Sequence, residues 1–309
     1  MALALRVTNL KKTYGNINAA DDISFGVERG EVFALLGPNG AGKTTSIEVL
    51  EGFLRRDSGS VEVLGVDPGE RQHVRWLRTR IGVILQELAV EPFFTVRQVL
   101  ERNAGFYPNP RPVDEVIELV GLTEKGEAKV KKLSGGQQRR LDIGLGIIGN
   151  PELLFLDEPT TGLDPAARRT TWDLIRRLSS EGTTVLMSSH YMDEVEALAH
   201  RVAVLSRGKI AAIGPTTSLG GRDKGEATIR FILPESVVAA DLPITPSRVD
   251  GGVVEVRTPD EVTTLHQLTG WALDHHVALA GLSVSRETLE DIYLALTRHD
   301  RDESEERSS

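Results

Sequence analysis

Apolar residues in this chain gather into short runs, and several of these runs end on chemistry. Glu31-Val32-Phe33-Ala34-Leu35-Leu36 and Ile81 to Leu85 read as buried strands, the second ending in Gln86. Leu153-Leu154-Phe155-Leu156 is apolar without interruption, as a strand covered on both faces must be. It delivers Asp157 and Glu158 before Pro159 stops it. Thr183 to Met187 predicts another buried strand, with His190 just past its end. Val7 to Lys11 alternates weakly and predicts an edge strand. Ile23 to Val27 and Ser60 to Leu64 predict two more, the former turning into the Glu31 strand at Arg29-Gly30. Val202 to Leu205 and Lys209 to Ile213 predict an edge hairpin around Arg207-Gly208.

The period changes between Thr95 and about Ile148. Val96, Val99 and Leu100, then Val113, Val116, Ile117 and Val120, recur at helical spacing, divided by the proline-rich stretch Tyr107 to Pro112. This predicts a helical insertion in an α/β sheet, and Val74 to Leu77 adds a short helix before it. Gly220-Gly221-Arg222-Asp223-Lys224-Gly225 predicts a seam between domains. Beyond it, strands at Ala227 to Leu233, Val253 to Val256 and Val277 to Val284 and a helix at Val262 to Leu273 predict a small α+β module. Leu289, Ile292, Tyr293 and Leu296 then mark an amphipathic helix. The expected organisation is a large domain over residues 1–220, a module over 226–297, and a charged, disordered tail over 298–309.

Composition narrows the chemistry. With 309 residues, 40% hydrophobic and 26% charged, the chain has material for a large and a small folded unit. No run approaches the roughly 18–20 apolar residues that span a bilayer. The N-terminal stretch lacks the basic lead and long apolar core of a secretory leader, so an intracellular protein is expected. The absence of cysteine removes disulfides, thiol catalysis and thiolate metal sites. A net charge of −9 argues against a general nucleic-acid binder.

The most specific motif lies between the Glu31 strand and a predicted helix at Thr45 to Leu50. Gly37-Pro38-Asn39-Gly40-Ala41-Gly42-Lys43-Thr44 is the phosphate-binding G-x-x-x-x-G-K-[ST] loop. A phosphate chain needs many N–H donors in a small volume, and glycine lets the backbone come that close. The helix start adds free N–H groups and its positive dipole end. Lys43 supplies a point charge, and the Thr44 hydroxyl can ligand Mg²⁺. A nucleoside triphosphate is therefore the expected ligand.

A second glycine-rich helix start stands at Leu133-Ser134-Gly135-Gly136-Gln137. Ser134 and Gln137 form a capping box, but two glycines inside a helix start cost stability. They make sense if a second anion approaches the backbone there. Asp157 and Glu158 sit where ligands bind in open α/β sheets, at a strand's C-terminal end. One would serve Mg²⁺ and the other would polarise an attacking water. Gly162-Leu163-Asp164-Pro165 predicts a helix capped by Asp164. Three residues stay open between a plain and a functional reading. Tyr14 is either a turn aromatic or a face for a base. Gln86 is either the first exposed residue of its strand end or an amide reaching metal or water. His190 is either a capping residue or part of the site.

Taken in order, these pieces resemble the ATP-binding cassette (ABC) ATPases over roughly residues 3 to 220. Within that superfamily the stretches Gly40 to Arg56, Pro159 to Pro165 and Leu289 to Thr297 look most like the separate ATPase subunits of daunorubicin-resistance-type exporters. The resemblance implies a P-loop NTPase fold, with a RecA-like core sheet, an antiparallel β subdomain, a helical subdomain at about 95–148 and a small C-terminal α+β module. It implies that Tyr14 stacks on adenine, that Gly37 to Thr45 hold the phosphates of ATP, and that Thr44 and Gln86 ligand Mg²⁺ with Asp157 in the outer shell. Glu158 would be the general base, and His190 would contact the γ-phosphate and the attacking water. Ser134, Gly135, Gly136 and Gln137 would close on ATP held by a second copy, with Asp164 coupling the two sites. The implied assembly is a head-to-tail homodimer on the cytoplasmic face of a membrane, joined to an ABC-2-type integral membrane permease. Leu88, Pro92, Phe93 and Phe94 would receive a short helix of that permease. Efflux of a drug-like, antibiotic or lipid-like substrate would follow. The alternative is a non-transport ABC ATPase acting on ribosomes or DNA. Against it stand the single cassette and the lack of sustained heptads between Thr44 and Leu133. A regulatory subunit that never turns over is disfavoured by Glu158.

Overall fold

The computed structural model describes residues 2–84, 92–219, 226–234, 237–286 and 289–293. The chain folds as two compact units, Met1–Thr216 and Thr217–Ser309. Gln86 and Leu88, the Gly220 to Gly225 seam and the tail from Leu294 onward lie outside the described residues.

The first unit begins with an antiparallel hairpin, β1 (Leu3–Tyr14) and β2 (Ile17–Glu28). The chain then enters a parallel sheet through β3 (Val32–Leu36) and leaves it by α1 (Lys43–Leu50). It returns to the antiparallel sheet in β4 (Ser58–Val63), which pairs with β1, so that sheet has the order β2-β1-β4. The predicted edge strand is therefore the central one. Alternation reports that one face of a strand is wet; it says nothing about neighbours in the sheet plane. The turn at Arg29-Gly30 also does not make a hairpin. It carries the chain from one sheet to the other, and β2 and β3 never pair.

After α2 (Arg71–Arg78), the strands β5 (Ile81–Ile84), β6 (Leu153–Asp157), β7 (Thr184–Ser189), β8 (Arg201–Ser206) and β9 (Lys209–Pro215) complete the parallel sheet. Its order is β5-β6-β7-β3-β8-β9, parallel except for the closing hairpin β8–β9. Every residue of β3, β6 and β7 is buried, which accounts for the apolar runs at 32–36, 153–156 and 185–187; Asp157, Thr184, Ser188 and Ser189 are the buried polar residues of these strands. β9, at the edge, alternates exposed and half-buried residues and has none that is fully buried. Phe25 of the antiparallel sheet stacks on Phe33 of the parallel sheet, with ring centroids 5.2 Å apart and planes 8° from parallel, joining the two sheets in one core.

The insertion between β5 and β6 carries α3 (Val96–Ala104), α4 (Val113–Leu119) and α5 (Gly135–Ile147). Leu100, Val116 and Val120 surround Gly144, where an added methyl would stand 3.4–3.5 Å from all three. α5 lies so close to β5 that a side chain on Gly82 would collide with the Gly146 carbonyl. The last helices of this unit are α6 (Pro165–Ser180) and α7 (Met192–Leu198).

The second unit is an antiparallel sheet of order β11-β12-β10-β13, made of β10 (Ala227–Ile232), β11 (Arg248–Asp250), β12 (Val253–Thr258) and β13 (Ala280–Ser285). Between β12 and β13 lies α8 (Glu261–Asp274), whose Leu268 meets Ile229, Phe231, Val254 and Val256 in a separate core. β11 carries no pattern a sequence could show, being three exposed residues before the Gly251-Gly252 turn. Residues 289–293 are helical and bury Leu289 and Ile292.

Candidate active site

The phosphate loop runs from the end of β3 to the start of α1, and its shape is imposed by neighbours. Gly40 and Gly42 have φ of 81° and 100°, a region that L side chains avoid. A side chain on Gly42 would strike the Ala19 carbonyl of β2, and one on Gly37 would stand 2.6 Å from the Leu205 carbonyl of β8. The β8–β9 hairpin tip closes the frame: Gly208 N–H donates to the Ala41 carbonyl at 3.1 Å, and the Gly208 carbonyl accepts from Asp21 N–H at 2.7 Å. Pro38, Asn39, Gly40 and Thr44 remain exposed, and Thr45 is half-buried. The loop is thus a rigid cradle with an open mouth.

Lys43 is buried to 5% exposure, and its ammonium donates to the Gly37 carbonyl at 2.7 Å and the Pro38 carbonyl at 3.2 Å. Burial pulls its pKa down, partly countered by Glu158 and Asp157. An ammonium folded back onto the carbonyls of its own loop has exchanged water for weak partners, and an arriving phosphate would be a better one. The Thr44 hydroxyl donates to Asp157 Oδ2 at 3.1 Å. A hydroxyl and a carboxylate side by side next to a phosphate cradle are the hard oxygen donors that Mg²⁺ prefers. The other Asp157 oxygen accepts from the Ser188 hydroxyl of β7, which in turn accepts from the Glu158 N–H at 3.0 Å.

Glu158 has φ of 48°, the left-handed region, so the chain kinks between strand and Pro159. That kink turns the carboxylate back over the loop: one oxygen stands 3.7 Å from Lys43 Nζ and 3.1 Å from His190 Nδ1. The other accepts from the Thr161 hydroxyl at 3.1 Å. Burial pushes the Glu158 carboxyl up, but His190, Thr161 and Lys43 together outweigh it and hold it below the ordinary glutamate value. His190 Nδ1 is buried and off-axis for a hydrogen bond to Glu158, which leaves it without a hydrogen-bond partner. Its ring lies 4.0 Å from that of Tyr191, which carries the Arg168 guanidinium at 4.4 Å.

Lys43 and Thr44 from the start of α1, Asp157 and Glu158 from the end of β6, and His190 from just past β7 therefore converge. Tyr14 closes β1 at 47% exposure with the Lys12 ammonium 5.5 Å from its ring centre, so an aromatic face is open to solvent. The capping box of α5 is formed: Ser134 Oγ accepts from Gln137 N–H at 3.3 Å, and Gln137 Oε1 accepts from Ser134 N–H at 3.0 Å. Ser134 and Gly135 are exposed. Among the described residues, none of Ser134, Gly135, Gly136 and Gln137 is hydrogen-bonded to the phosphate loop. Gly136 instead faces Ala167 and Leu163, on either side of Asp164, which caps α6 by accepting from Ala166 and Ala167 N–H at 2.9 Å. Ser188, Thr161 and Arg139 had no signal as site residues in the sequence. A serine ending a strand, or an arginine in a helix, looks ordinary until its partners are seen.

The model of the ABC transporter family matches residues 20–161. The linearmycin resistance ATP-binding protein LnrL of Bacillus subtilis is 35% identical over 95% of this chain and 98% of its own length. This chain is an ABC transporter ATP-binding protein. The daunorubicin/doxorubicin resistance ATP-binding protein DrrA of Streptomyces peucetius is 35% identical over 97% of this chain and 94% of its own. The Nod factor export ATP-binding protein I of Paraburkholderia xenovorans is 37% identical over 77% and 79%. An ABC transporter cassette solved in its ADP conformation superimposes with a TM-score of 0.62 at 28% identity, covering 70% of this chain and 92% of that one. A dimeric cassette with ADP and phosphate, 23% identical, shares the fold at a TM-score of 0.62 over 68% and 98%. Residues 227–288 match the C-terminal domain of ABC transporter domain-containing proteins. The ABC cassette is an ATP-hydrolysing P-loop fold of the expected class. Among the described residues no helix is long and apolar enough to cross a membrane.

Proposed function

We propose that this ABC ATPase powers an exporter as a head-to-tail homodimer, on the cytoplasmic face of a membrane beneath a separate ABC-2-type permease. The convergence of Lys43, Thr44, Asp157, Glu158 and His190 carries the hydrolytic half of this reading. The names of the relatives carry the transport half, since the resistance and export proteins above match over most of the chain. Those names favour a drug-, antibiotic- or lipid-like cargo over the ribosomal or DNA alternative.

In this reading Tyr14 stacks on the adenine, and the N–H groups from Gly37 to Thr45 grip the phosphates. Lys43 exchanges two loop carbonyls for phosphate oxygens. Thr44 and Gln86 would ligand Mg²⁺, with Asp157 in its outer shell, and the bound ion would neutralise phosphate charge. Glu158 is ionised at neutral pH and takes the proton of the attacking water. His190, with its orphaned Nδ1, orients water and the terminal phosphate. Ser134, Gly135, Gly136 and Gln137 cover the ATP of the other copy, and Asp164 links the two sites.

Two measurements test this. Purified Glu158→Gln should bind ATP and lose hydrolysis by roughly a hundredfold or more; retained turnover would remove the base role. The same variant, tagged and extracted from its native cell in mild detergent with ATP, should bring down a multi-span membrane protein in stoichiometric amount. Ribosomes or DNA-repair proteins without a membrane partner would overturn the transport reading.

A further inference from the structure

Arg139 lies one turn into α5, the helix that opens with Ser134, yet its guanidinium reaches the end of β6. Nε donates to the Pro159 carbonyl at 3.0 Å, and Nη2 donates to the Asp157 carbonyl at 3.2 Å and the Glu158 carbonyl at 3.3 Å. Three successive carbonyls are thus held by one planar fork, across the residue whose φ of 48° turns the Glu158 carboxylate over the phosphate loop. Nη1 is anchored on its own helix by Asp142 Oδ2 at 2.7 Å, and both side chains are 11% exposed. A left-handed glutamate persists only where its surroundings over-determine it. Ser188 supports the kink from one side, through the Glu158 N–H. Arg139 supports it through the carbonyls.

We propose that Arg139, anchored by Asp142, is a positioning residue for the general base and ties the orientation of Glu158 to the helix beginning at Ser134. The inference rests on the base role given to Glu158 above. Geometry gives it a direction. A displacement of α5, whose exposed start would touch the second nucleotide, pulls on the backbone that aims Glu158. A lysine cannot replace the fork, because a single ammonium cannot meet three carbonyls and a carboxylate in one plane.

The test compares wild type, Glu158→Gln, Arg139→Lys and Asp142→Asn as full-length proteins. For Arg139→Lys, kcat should fall roughly ten- to a hundredfold, the cost of misplacing a reacting group by about 1 Å. Its Kd for ATP should stay within about twofold of wild type, because the bonds of Arg139 to Asp142, Asp157, Glu158 and Pro159 go to α5 and the end of β6 rather than to the phosphate loop. Asp142→Asn should show a smaller loss of the same kind. Wild-type kcat in Arg139→Lys, or a kcat loss matched by an equal weakening of ATP binding, would overturn the proposal. If Arg139→Lys does not fold, Asp142→Asn carries the same kcat-against-Kd comparison. Full turnover in Glu158→Gln would instead remove the base reading itself.

Discussion

The two glycine-rich helix starts differ in what compels their glycines. At Gly37 and Gly42 the compulsion is internal: carbonyls of Leu205 and Ala19 occupy the space a side chain needs, and Gly42 has φ of 100°. At Gly135 nothing lies within 4 Å of where a side chain would stand, and no positive φ calls for glycine. The first site is finished within one chain. The second has a glycine that its own chain does not require.

That contrast yields graded expectations. Gly42→Ala should be the most damaging, since strain at positive φ adds to a collision with fixed backbone. A loss of roughly 2–4 kcal/mol in unfolding free energy and of ATP binding is expected. A variant that unfolds and binds like wild type would show that the loop tolerates what its frame forbids.

Next comes Glu51, which closes α1. Burial above all, then the like charges of Asp157 and Glu48, push its carboxyl from 4.5 up to about 8. Between these values the unfolded chain releases the proton and the native one keeps it, so native stability falls as pH rises through that window. Glutamine cannot ionise. Glu51→Gln should therefore match wild type near pH 4.5 and exceed it by up to roughly 3 kcal/mol near pH 7. A thermal-melt difference that stays flat from pH 5 to 8 would show that Glu51 titrates normally.

The smallest stability change belongs to Gly135→Ala. Alanine in an exposed first turn should stabilise by about 0.5–1 kcal/mol, while ATP binding to the isolated chain stays unchanged and hydrolysis falls. Undiminished hydrolysis would return this glycine to an ordinary helix start.

Much of the fold was legible because central parallel strands are covered on both faces: β3 is apolar throughout, and β6 and β7 carry the apolar runs at 153–156 and 185–187. Asp157 and Glu158 stood out in the sequence for the same reason, since a buried strand leaves its end as the place for chemistry, whereas His190 stayed open between a capping and a site reading. What stayed hidden was contact across the chain. β1 looked like an edge because its alternation records one wet face and not its two partners. Ser188 and Arg139 are common residues in common settings, and only the positions of Asp157 and Glu158 give them meaning. Tyr14 remained open because an exposed aromatic face looks the same whether or not a base will cover it.

The clasp between Gly208 and the phosphate loop also has a meaning in time. Ala41 meets the Gly208 N–H, and Asp21 meets the Gly208 carbonyl, so the loop is framed by segments from opposite ends of the first unit. Closures of large sequence separation cost loop-closure entropy before they return any contact. A growing chain that has made the whole motif from Gly37 to Thr44 still lacks the hairpin that frames it. A ribosome-bound fragment ending before Gly208 therefore carries the motif without the two hydrogen bonds that frame it.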